Sequence, residues 1–228
     1  MNEKNYRISR VKRTKAQAKK SYDRISKYYD RIAGVFEKKY RNKALRWLNI
    51  RKGEIVLEIG FGTGHALKKI SESVGENGQV YGIDFSSEML NISKRRLEKA
   101  GHSDKVELYC GDALEMPYGD NKFDVVFMSF TLELFDTPEI PQVLRKIKRV
   151  MKTNGRFGLV SLTKEYNSSV IIKLYEWIHK KLPRYVDCRP IYVEQSLKES
   201  GFKIKYREKV KLFGIPAEIA VCGHGLQG

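Results

Sequence analysis

Short apolar runs alternate along the chain with stretches in which apolar residues recur every three or four positions. The first run, at residues 55–59, contains a single acid and predicts a buried parallel strand. In the stretch that follows, Leu67, Ile70 and Val74 fall on one face and predict a helix. Because the same alternation continues to residue 162, we predict a series of strand–helix units.

The predicted elements indicate an α/β fold with an open, doubly wound sheet of seven strands, parallel except for a late hairpin strand. The predicted strands span residues 55–59, 79–84, 106–109, 123–129, 156–162, 202–207 and 217–221. The predicted helices span residues 21–35, 37–48, 66–74, 88–100, 138 or 141 to 151, 169–180 and 193–200. Asn154-Gly155 is expected to separate the fourth strand–helix unit from the fifth strand.

The length of 228 residues suits one large domain, which we place at residues 21–228 behind a basic tail at residues 1–20. That tail carries eight Lys/Arg residues against Glu3, and the whole chain has a net charge of +17. A run of this kind is typical of a flexible solvated tail, and it also suits contact with an anionic membrane surface or with RNA.

Two classes of protein are excluded on composition. No apolar stretch of about 18 residues predicts a transmembrane helix, and residues 1–20 lack the apolar core of a secretory signal. Cys110, Cys188 and Cys222 are too few and too scattered for a disulfide framework, and Cys222 with His224 makes only half of a metal site. We therefore expect no metal and a cytoplasmic location, with peripheral contact with the membrane.

Three glycines at alternate positions follow the first strand, in Glu58-x-Gly60-x-Gly62-x-Gly64. A strand that turns through glycines into a helix allows a ligand to lie against bare backbone, and the helix N-terminus attracts an anion. A dinucleotide fingerprint would need glycine at His65, and a phosphate-binding P-loop would need Gly-Lys-Ser/Thr there. Both of these sites are therefore excluded.

Polar residues follow the other predicted strands, where an open α/β sheet binds its ligand. Asp84 ends the second strand, and its carboxylate suits the two hydroxyls of a ribose, or alternatively the cap of the next helix. Asp112, in Gly111-Asp112-Ala113, suits the exocyclic amine of an adenine, with the small Ala113 leaving room for the ring. Ser129-Phe130 ends the fourth strand, where it is expected to form the floor of the same ligand site.

Together these segments resemble the class I methyltransferases that use S-adenosyl-L-methionine (SAM), and among them the ubiquinone/menaquinone-biosynthesis branch. The similarity extends over about residues 20–222, and the segment from Gly111 to Asp124 is especially similar. The resemblance implies a Rossmann-like fold with an N-terminal helical lid at residues 21–50 and an acceptor-side insertion at residues 165–193. It implies SAM as cofactor and S-adenosyl-L-homocysteine (SAH) as product. The predicted SAM-binding residues are Tyr22, Tyr29, Glu58, Gly60, Phe61, Gly62, Thr63, Gly64, Asp84, Phe85, Met89, Gly111, Asp112, Ala113, Ser129 and Phe130.

Methyl transfer from SAM is an in-line displacement that needs mainly positioning, so a catalytic base is required only for some acceptors. Glu133 is the best-placed acid for that role, with His65 and Tyr29 as further candidates. The quinone enzymes carry Gly-Leu-Arg-Asn where this chain has Thr131-Leu132-Glu133-Leu134, and these positions are expected to face the acceptor. We predict a small acceptor that is apolar, quinone-like or lipid-like.

Two other functions stay open at this point. The positive charge favours an RNA methyltransferase, although residues 129–132 differ from the Asn/Asp-Pro-Pro-Tyr motif of enzymes that methylate base amines. A noncatalytic SAM-binding protein would share the same fold.

Overall fold

The computed structural model describes residues 35–164, 189–212 and 214–225. The basic tail, almost all of the predicted helix at 21–35 with Tyr22 and Tyr29, and most of the predicted insertion at 165–193 lie outside these residues. The predicted lid and acceptor-side insertion therefore stay predictions.

The described chain contains five helices and seven strands of regular structure. The helices are α1 (Val35–Leu48), α2 (His65–Val74), α3 (Ser87–Ala100), α4 (Ile140–Val150) and α5 (Val193–Glu199). The strands are β1 (Ile55–Ile59), β2 (Gln79–Asp84), β3 (Val106–Cys110), β4 (Phe123–Ser129), β5 (Met151–Leu162), β6 (Phe202–Leu212) and β7 (Ile215–His224). Short 3-10 turns lie at 103–105, 113–115 and 132–134.

The seven strands form one sheet in the order β3-β2-β1-β4-β5-β7-β6. The pairs from β3 to β5 are parallel, whereas β7 is antiparallel to both β5 and β6. The predicted open α/β sheet with one late antiparallel strand is therefore confirmed. No helix in the described ranges is long and apolar enough to cross a membrane.

Helices cover both faces of the sheet, because each carries one apolar stripe. Apolar residues of α1, α2 and α3 pack with Val56 and Phe127 on one face. Apolar residues of α4 and α5 pack with Leu57 and Met128 on the other. Ser86 caps α3 by accepting a hydrogen bond from the Met89 backbone N–H at 3.2 Å, as one of the two predicted capping serines.

The strand boundaries near the end of the chain were predicted wrongly. β5 begins at Met151 rather than at 156, because Met151 already pairs with Phe123 and the register shifts only between Phe123 and Val125. Asn154-Gly155 therefore lies in an irregularity within the strand and not in a loop. The hairpin strands β6 and β7 are also longer than predicted. On β6, lysines alternate with apolar residues, which is typical of an edge strand that must resist pairing with other chains.

Strand order determines where the site lies. β1 is flanked by β2 on one side and β4 on the other, and the chain leaves these strands toward helices on opposite faces. The chain segments that follow β1 and β4 therefore continue to opposite faces of the sheet, an arrangement that places a crevice at the carboxyl ends of the strands.

Candidate functional site

The three glycines after β1 serve two different purposes. A Cβ on Gly60 would lie 2.4 Å from the Thr131 side chain, so Gly60 allows the loops after β1 and β4 to touch. A Cβ on Gly64 would lie 2.7 Å from Ser93 Oγ, so Gly64 allows close packing of α3. Gly62 has φ +52 and open space where its Cβ would be. Only this middle glycine of the three leaves its backbone bare toward open space, where a ligand can approach.

The crevice contains an open cavity of about 940 Å³, a volume that includes the solvent at its mouth. Most of the predicted SAM-binding residues line this main cavity. They are Gly60, Gly62, Asp84, Phe85, Met89, Gly111, Asp112, Ala113, Ser129 and Phe130. Sequence reasoning missed four further lining residues, namely Ile59, Ile83, Phe135 and Glu139, whereas the remaining two, Thr131 and Leu134, were predicted to face the acceptor.

Asp84 joins the glycine loop to the start of α3. Its Oδ2 accepts a hydrogen bond from the Gly62 backbone N–H at 2.8 Å, and its Oδ1 accepts one from the Ser86 N–H at 2.9 Å. Each carboxylate oxygen can accept a second hydrogen bond, so the same side chain can still bind ribose hydroxyls. The side chain that caps α3 is Ser86, and Asp84 accepts from the Ser86 backbone instead.

Asp112 lies at the opposite side of the same end of the cavity, after β3. Its Oδ1 accepts a hydrogen bond from the Leu114 backbone N–H at 2.9 Å, which fixes the turn at 113–115. Ala113 is buried and also lines the cavity. The arrangement brings together the two aspartates that the sequence predicted to hold a ribose and an adenine.

A second, smaller recess opens beside the glycine loop and shares Gly60, Gly62 and Ser129 with the main cavity. It is polar, and two buried ionisable side chains face each other across it: Arg41 from α1 is 8% exposed and Glu58 from β1 is 3% exposed. Burial raises the pKa of Glu58 well above its usual range, and the nearby Arg41 charge lowers it only in part. The recess therefore holds one buried cation and one buried acid, with the half-buried side chains of Glu37 and His65 also in its lining.

Three residues that line this recess each have a side-chain atom that is buried and has no hydrogen-bond partner within the described residues: Glu58 Oε2, Arg41 Nε and Ser129 Oγ. Buried polar groups are normally paired, so such atoms at a cavity indicate a missing polar ligand. The recess also reaches the first turn of α2, through Thr63, His65 and Ala66, where the helix dipole favours an anion.

Sequence reasoning missed Arg41, although a signal for it exists. Arg41, Ala44 and Leu48 are spaced by three and four residues and lie on the buried face of α1. A basic residue in phase with an apolar stripe is uncommon unless it has a partner, and here that partner is the acid in β1. The partner comes from an element 17 residues away in the sequence, so spacing alone does not pair them.

Some predicted residues lie apart from the main cavity. The Phe61 side chain packs in the core and borders the polar recess, together with Glu58 and Thr63. Gly64 borders neither space and packs against Ser93. Glu133, the predicted base, is fully buried and is not among the residues that line the cavity.

Comparison with known proteins agrees with this geometry. Residues 56–155 match a family described as a methyltransferase domain. Over 147 residues the chain is 32% identical to a demethylmenaquinone methyltransferase of Lactobacillus johnsonii, covering 64% of this chain and 59% of that protein. The chain contains a class I methyltransferase domain. The predicted family and its cofactor, SAM, are therefore confirmed.

The chain spans somewhat more than half the length of the first relatives that it matches. A demethylmenaquinone methyltransferase of Symbiobacterium thermophilum is 29% identical over 187 residues, which cover 77% of this chain and 73% of that protein.

Solved structures support the fold of the methyltransferase domain. A SAM-dependent methyltransferase from Aquifex aeolicus is 24% identical, has a TM-score of 0.59, and matches over 80% of this chain and 88% of that one. The [4+2]-cyclase SpnF is 17% identical with a TM-score of 0.74, over 96% and 99% of the two chains. A methyltransferase-like fold is thus found in a protein described as a cyclase, so the reaction must be inferred from the site.

The described residues fit SAM. Its aminocarboxypropyl group is a zwitterion, and the polar recess presents Glu58 for the ammonium, with Arg41 and the α2 N-terminus for the carboxylate. Its adenosine suits the end of the main cavity that holds Asp84 and Asp112. The open space above Gly62 connects these two regions.

Proposed function

We propose that this protein is a SAM-dependent methyltransferase that acts on a small apolar acceptor of quinone-like or lipid-like character. The observation that carries the proposal is the junction of two spaces at the glycine loop: a polar recess with buried Arg41 and Glu58, and a larger cavity with Asp84 and Asp112. This pairing of a zwitterion site with a nucleoside site matches the two ends of SAM.

The acceptor side of the cavity is apolar. Beyond the nucleoside end, the cavity is lined by Phe130, Leu134 and Phe135, with Glu139 as the acid at its edge. Of the four positions predicted to face the acceptor, Thr131 and Leu134 line the cavity, whereas Leu132 and Glu133 are buried behind it. An apolar wall of this kind suits a flat or aliphatic acceptor, and the relatives named as demethylmenaquinone methyltransferases support the same class.

The mechanism that we propose relies on positioning. When bound, SAM supplies a methyl group that its sulfonium already activates. Asp84, Arg41 and Glu58 orient the two ends of the cofactor, and the apolar wall excludes water and aligns the acceptor; such alignment can supply several kcal/mol, up to about 7–11 in well-oriented intramolecular cases. The Phe130 ring lines the cavity and can stabilise a nearby sulfonium charge by about 0.5–2 kcal/mol.

The proposal is tested by incubating the full chain with methyl-labelled SAM and three separate pools: reduced demethylated naphthoquinones of short chain length, total lipid, and RNA. We expect label in the quinone or lipid pool and none in RNA. Label in RNA would overturn the acceptor class and leave the cofactor assignment intact. SAM binding without label in any pool would favour a noncatalytic SAM-binding protein.

We further propose that the protein contacts an anionic membrane surface peripherally, where an apolar acceptor would be found. The support is the net charge of +17, the basic residues 1–20, and the exposed lysines Lys203, Lys205, Lys209 and Lys211 on edge strand β6. Co-sedimentation with phosphatidylglycerol vesicles should fall when residues 1–20 are deleted and should weaken with salt. Binding that is insensitive to the deletion would rule out the tail as the contact.

A further inference from the structure

Residues 129–135, called here the wall loop, form the acceptor side of the main cavity. Phe130, Leu134 and Phe135 supply its apolar surface. The loop is not relaxed, because Phe130 has φ +51, a conformation that residues with a β-carbon rarely adopt. A strained segment of this kind persists only where its surroundings hold it in place.

The surroundings hold the wall loop at the end of β5. Glu133 Oε2 accepts a hydrogen bond from Ser161 Oγ at 2.8 Å, and Glu133 Oε1 accepts one from the Leu162 backbone N–H at 3.0 Å. One carboxylate thus joins the middle of the loop to the last two residues of the strand. The Phe130 backbone N–H makes a second tie, to the Val160 carbonyl at 2.7 Å.

The stability of the fold does not explain why residue 133 is an acid. The residue is fully buried, and burial raises the pKa of its carboxyl, with Glu37 of α1 as the charged side chain that raises it further. An apolar side chain would fill this space without the cost of desolvating an acid. A buried acid that makes two well-formed hydrogen bonds is better explained by the position that it imposes on the loop.

We propose that Glu133 is a positioning residue that fixes the wall loop, and with it Phe130, Leu134 and Phe135, in the shape that receives the acceptor. It takes no proton from the acceptor, since its carboxyl is directed at β5. That the wall loop receives the acceptor rests on the proposed function. That Glu133 anchors the loop to β5 rests on the hydrogen bonds alone.

Hydrogen exchange on the full chain, with and without SAH, tests the anchoring. We compare Glu133→Ala and Glu133→Gln with Glu218→Gln, a control at a second buried glutamate whose side-chain partners, Arg207 and Thr163, lie outside the wall loop. In Glu133→Ala the amides of Leu134, Phe135 and Leu162 should exchange at least tenfold faster, while β1 amides keep their protection. Glu133→Gln should restore most of this protection, because its amide oxygen can still accept from Leu162.

A kinetic test separates positioning from acid–base chemistry. With a reduced short-chain demethylated naphthoquinone as acceptor, Glu133→Ala should raise the acceptor KM at least fivefold without changing the affinity for SAM. Glu133→Gln should recover most of the acceptor affinity, and its rate should keep the pH profile of the unsubstituted protein. Loss of turnover by a factor of 100 or more in Glu133→Gln, with exchange unchanged, would identify a base and overturn the proposal.

The remaining outcomes are also decisive. Unchanged wall-loop exchange in Glu133→Ala would show that the hydrogen bonds to β5 do not hold the loop, and the proposal would fail. Absence of SAM or SAH binding in the unsubstituted protein would overturn the proposed function instead, and the exchange of the unliganded protein would still decide the anchoring.

Discussion

Asp84 accepts a hydrogen bond from the Gly62 backbone N–H at 2.8 Å, which joins the end of β2 to the glycine loop in the lining of the cavity. The carboxylate that we assign to the ribose therefore also shapes the loop that admits the rest of the ligand. Replacement of Asp84 should therefore remove both the contact with the ribose and the hydrogen bond to the glycine loop.

Asp84→Ala should weaken SAM binding by about tenfold to 100-fold, since a hydrogen bond to a charged group contributes about 1.5–3 kcal/mol. Isothermal calorimetry measures the affinity. Asp124→Asn is the matched control: Asp124 also accepts from a strand backbone N–H, that of Ile55 at 2.9 Å, but lies outside the cavity. The control should lose stability and keep its SAM affinity. Unchanged affinity in Asp84→Ala would refute the ribose assignment.

Arg41→Leu should weaken the binding of SAM and leave the binding of adenosine unchanged. The reason is that Arg41 lines the recess that we assign to the aminocarboxypropyl group, which adenosine lacks. Parallel titrations with SAM, SAH and adenosine check this, with Arg46→Ala as control, because Arg46 is exposed on the same helix. An equal loss of affinity for all three ligands would mean that Arg41 supports the fold and does not bind the methionine end of SAM.

SAM binding should release protons, and Glu58 should be their source. Burial raises the pKa of Glu58, so the ligand-free carboxyl is protonated to a higher pH than usual, and a neighbouring ammonium would favour its ionised form. The affinity for SAM should therefore rise as the pH increases above about 4.5, the usual value for this group. Calorimetry in two buffers of different ionisation enthalpy measures the release, which Glu58→Gln should abolish.

Gly62→Ala and Gly60→Ala should fail in different ways. A methyl group at Gly62 enters open space, so the variant should fold with a modest strain penalty and bind SAM more weakly. A methyl group at Gly60 meets the Thr131 side chain, so this variant should lose thermal stability. The double variant Gly60→Ala/Thr131→Ala should recover part of that loss. Equal melting temperatures for the two single variants would contradict the distinction.

The free energy of unfolding of Glu133→Gln, compared with that of the unsubstituted protein, should increase as the pH rises. The pKa of Glu133 is raised by burial to about 7 from 4.5, so the folded state binds its proton more tightly than the unfolded state does. Protonation of Glu133 contributes fully to the free energy of unfolding below pH 4.5, and this contribution is lost as the pH rises to 7. The loss between these two pH values is about 3 kcal/mol. Urea unfolding of both proteins between pH 5 and 8 measures the difference, and a constant difference would contradict the raised pKa.

The sequence predicted the sheet and most of the nucleoside end of the cavity. Strands β1 and β4 are apolar runs that each contain one acid, and glycines or acids stand at or just after the ends of β1, β2 and β3, so these features can be recognised from the local sequence. Polar recess residues such as Arg41 were missed, because their partners come from a distant part of the chain. Glu133 was predicted to face the acceptor, because the turn at 132–134 that directs it toward β5 leaves no periodic signal.

Helix α1 ties the cofactor recess to the far edge of the sheet. Tyr40 Oη donates to the Lys211 carbonyl at 2.6 Å and Lys43 pairs with Glu208 at 2.6 Å, both on strand β6, while Arg41 between them lines the recess. The edge strand is thereby joined to the helix that carries the Arg41 guanidinium. Substitution of Glu208 on the hairpin, or of Tyr40 on α1, should thus alter cofactor affinity from a distance, so engineering of the C-terminal hairpin should be monitored by SAM binding as well as by melting temperature.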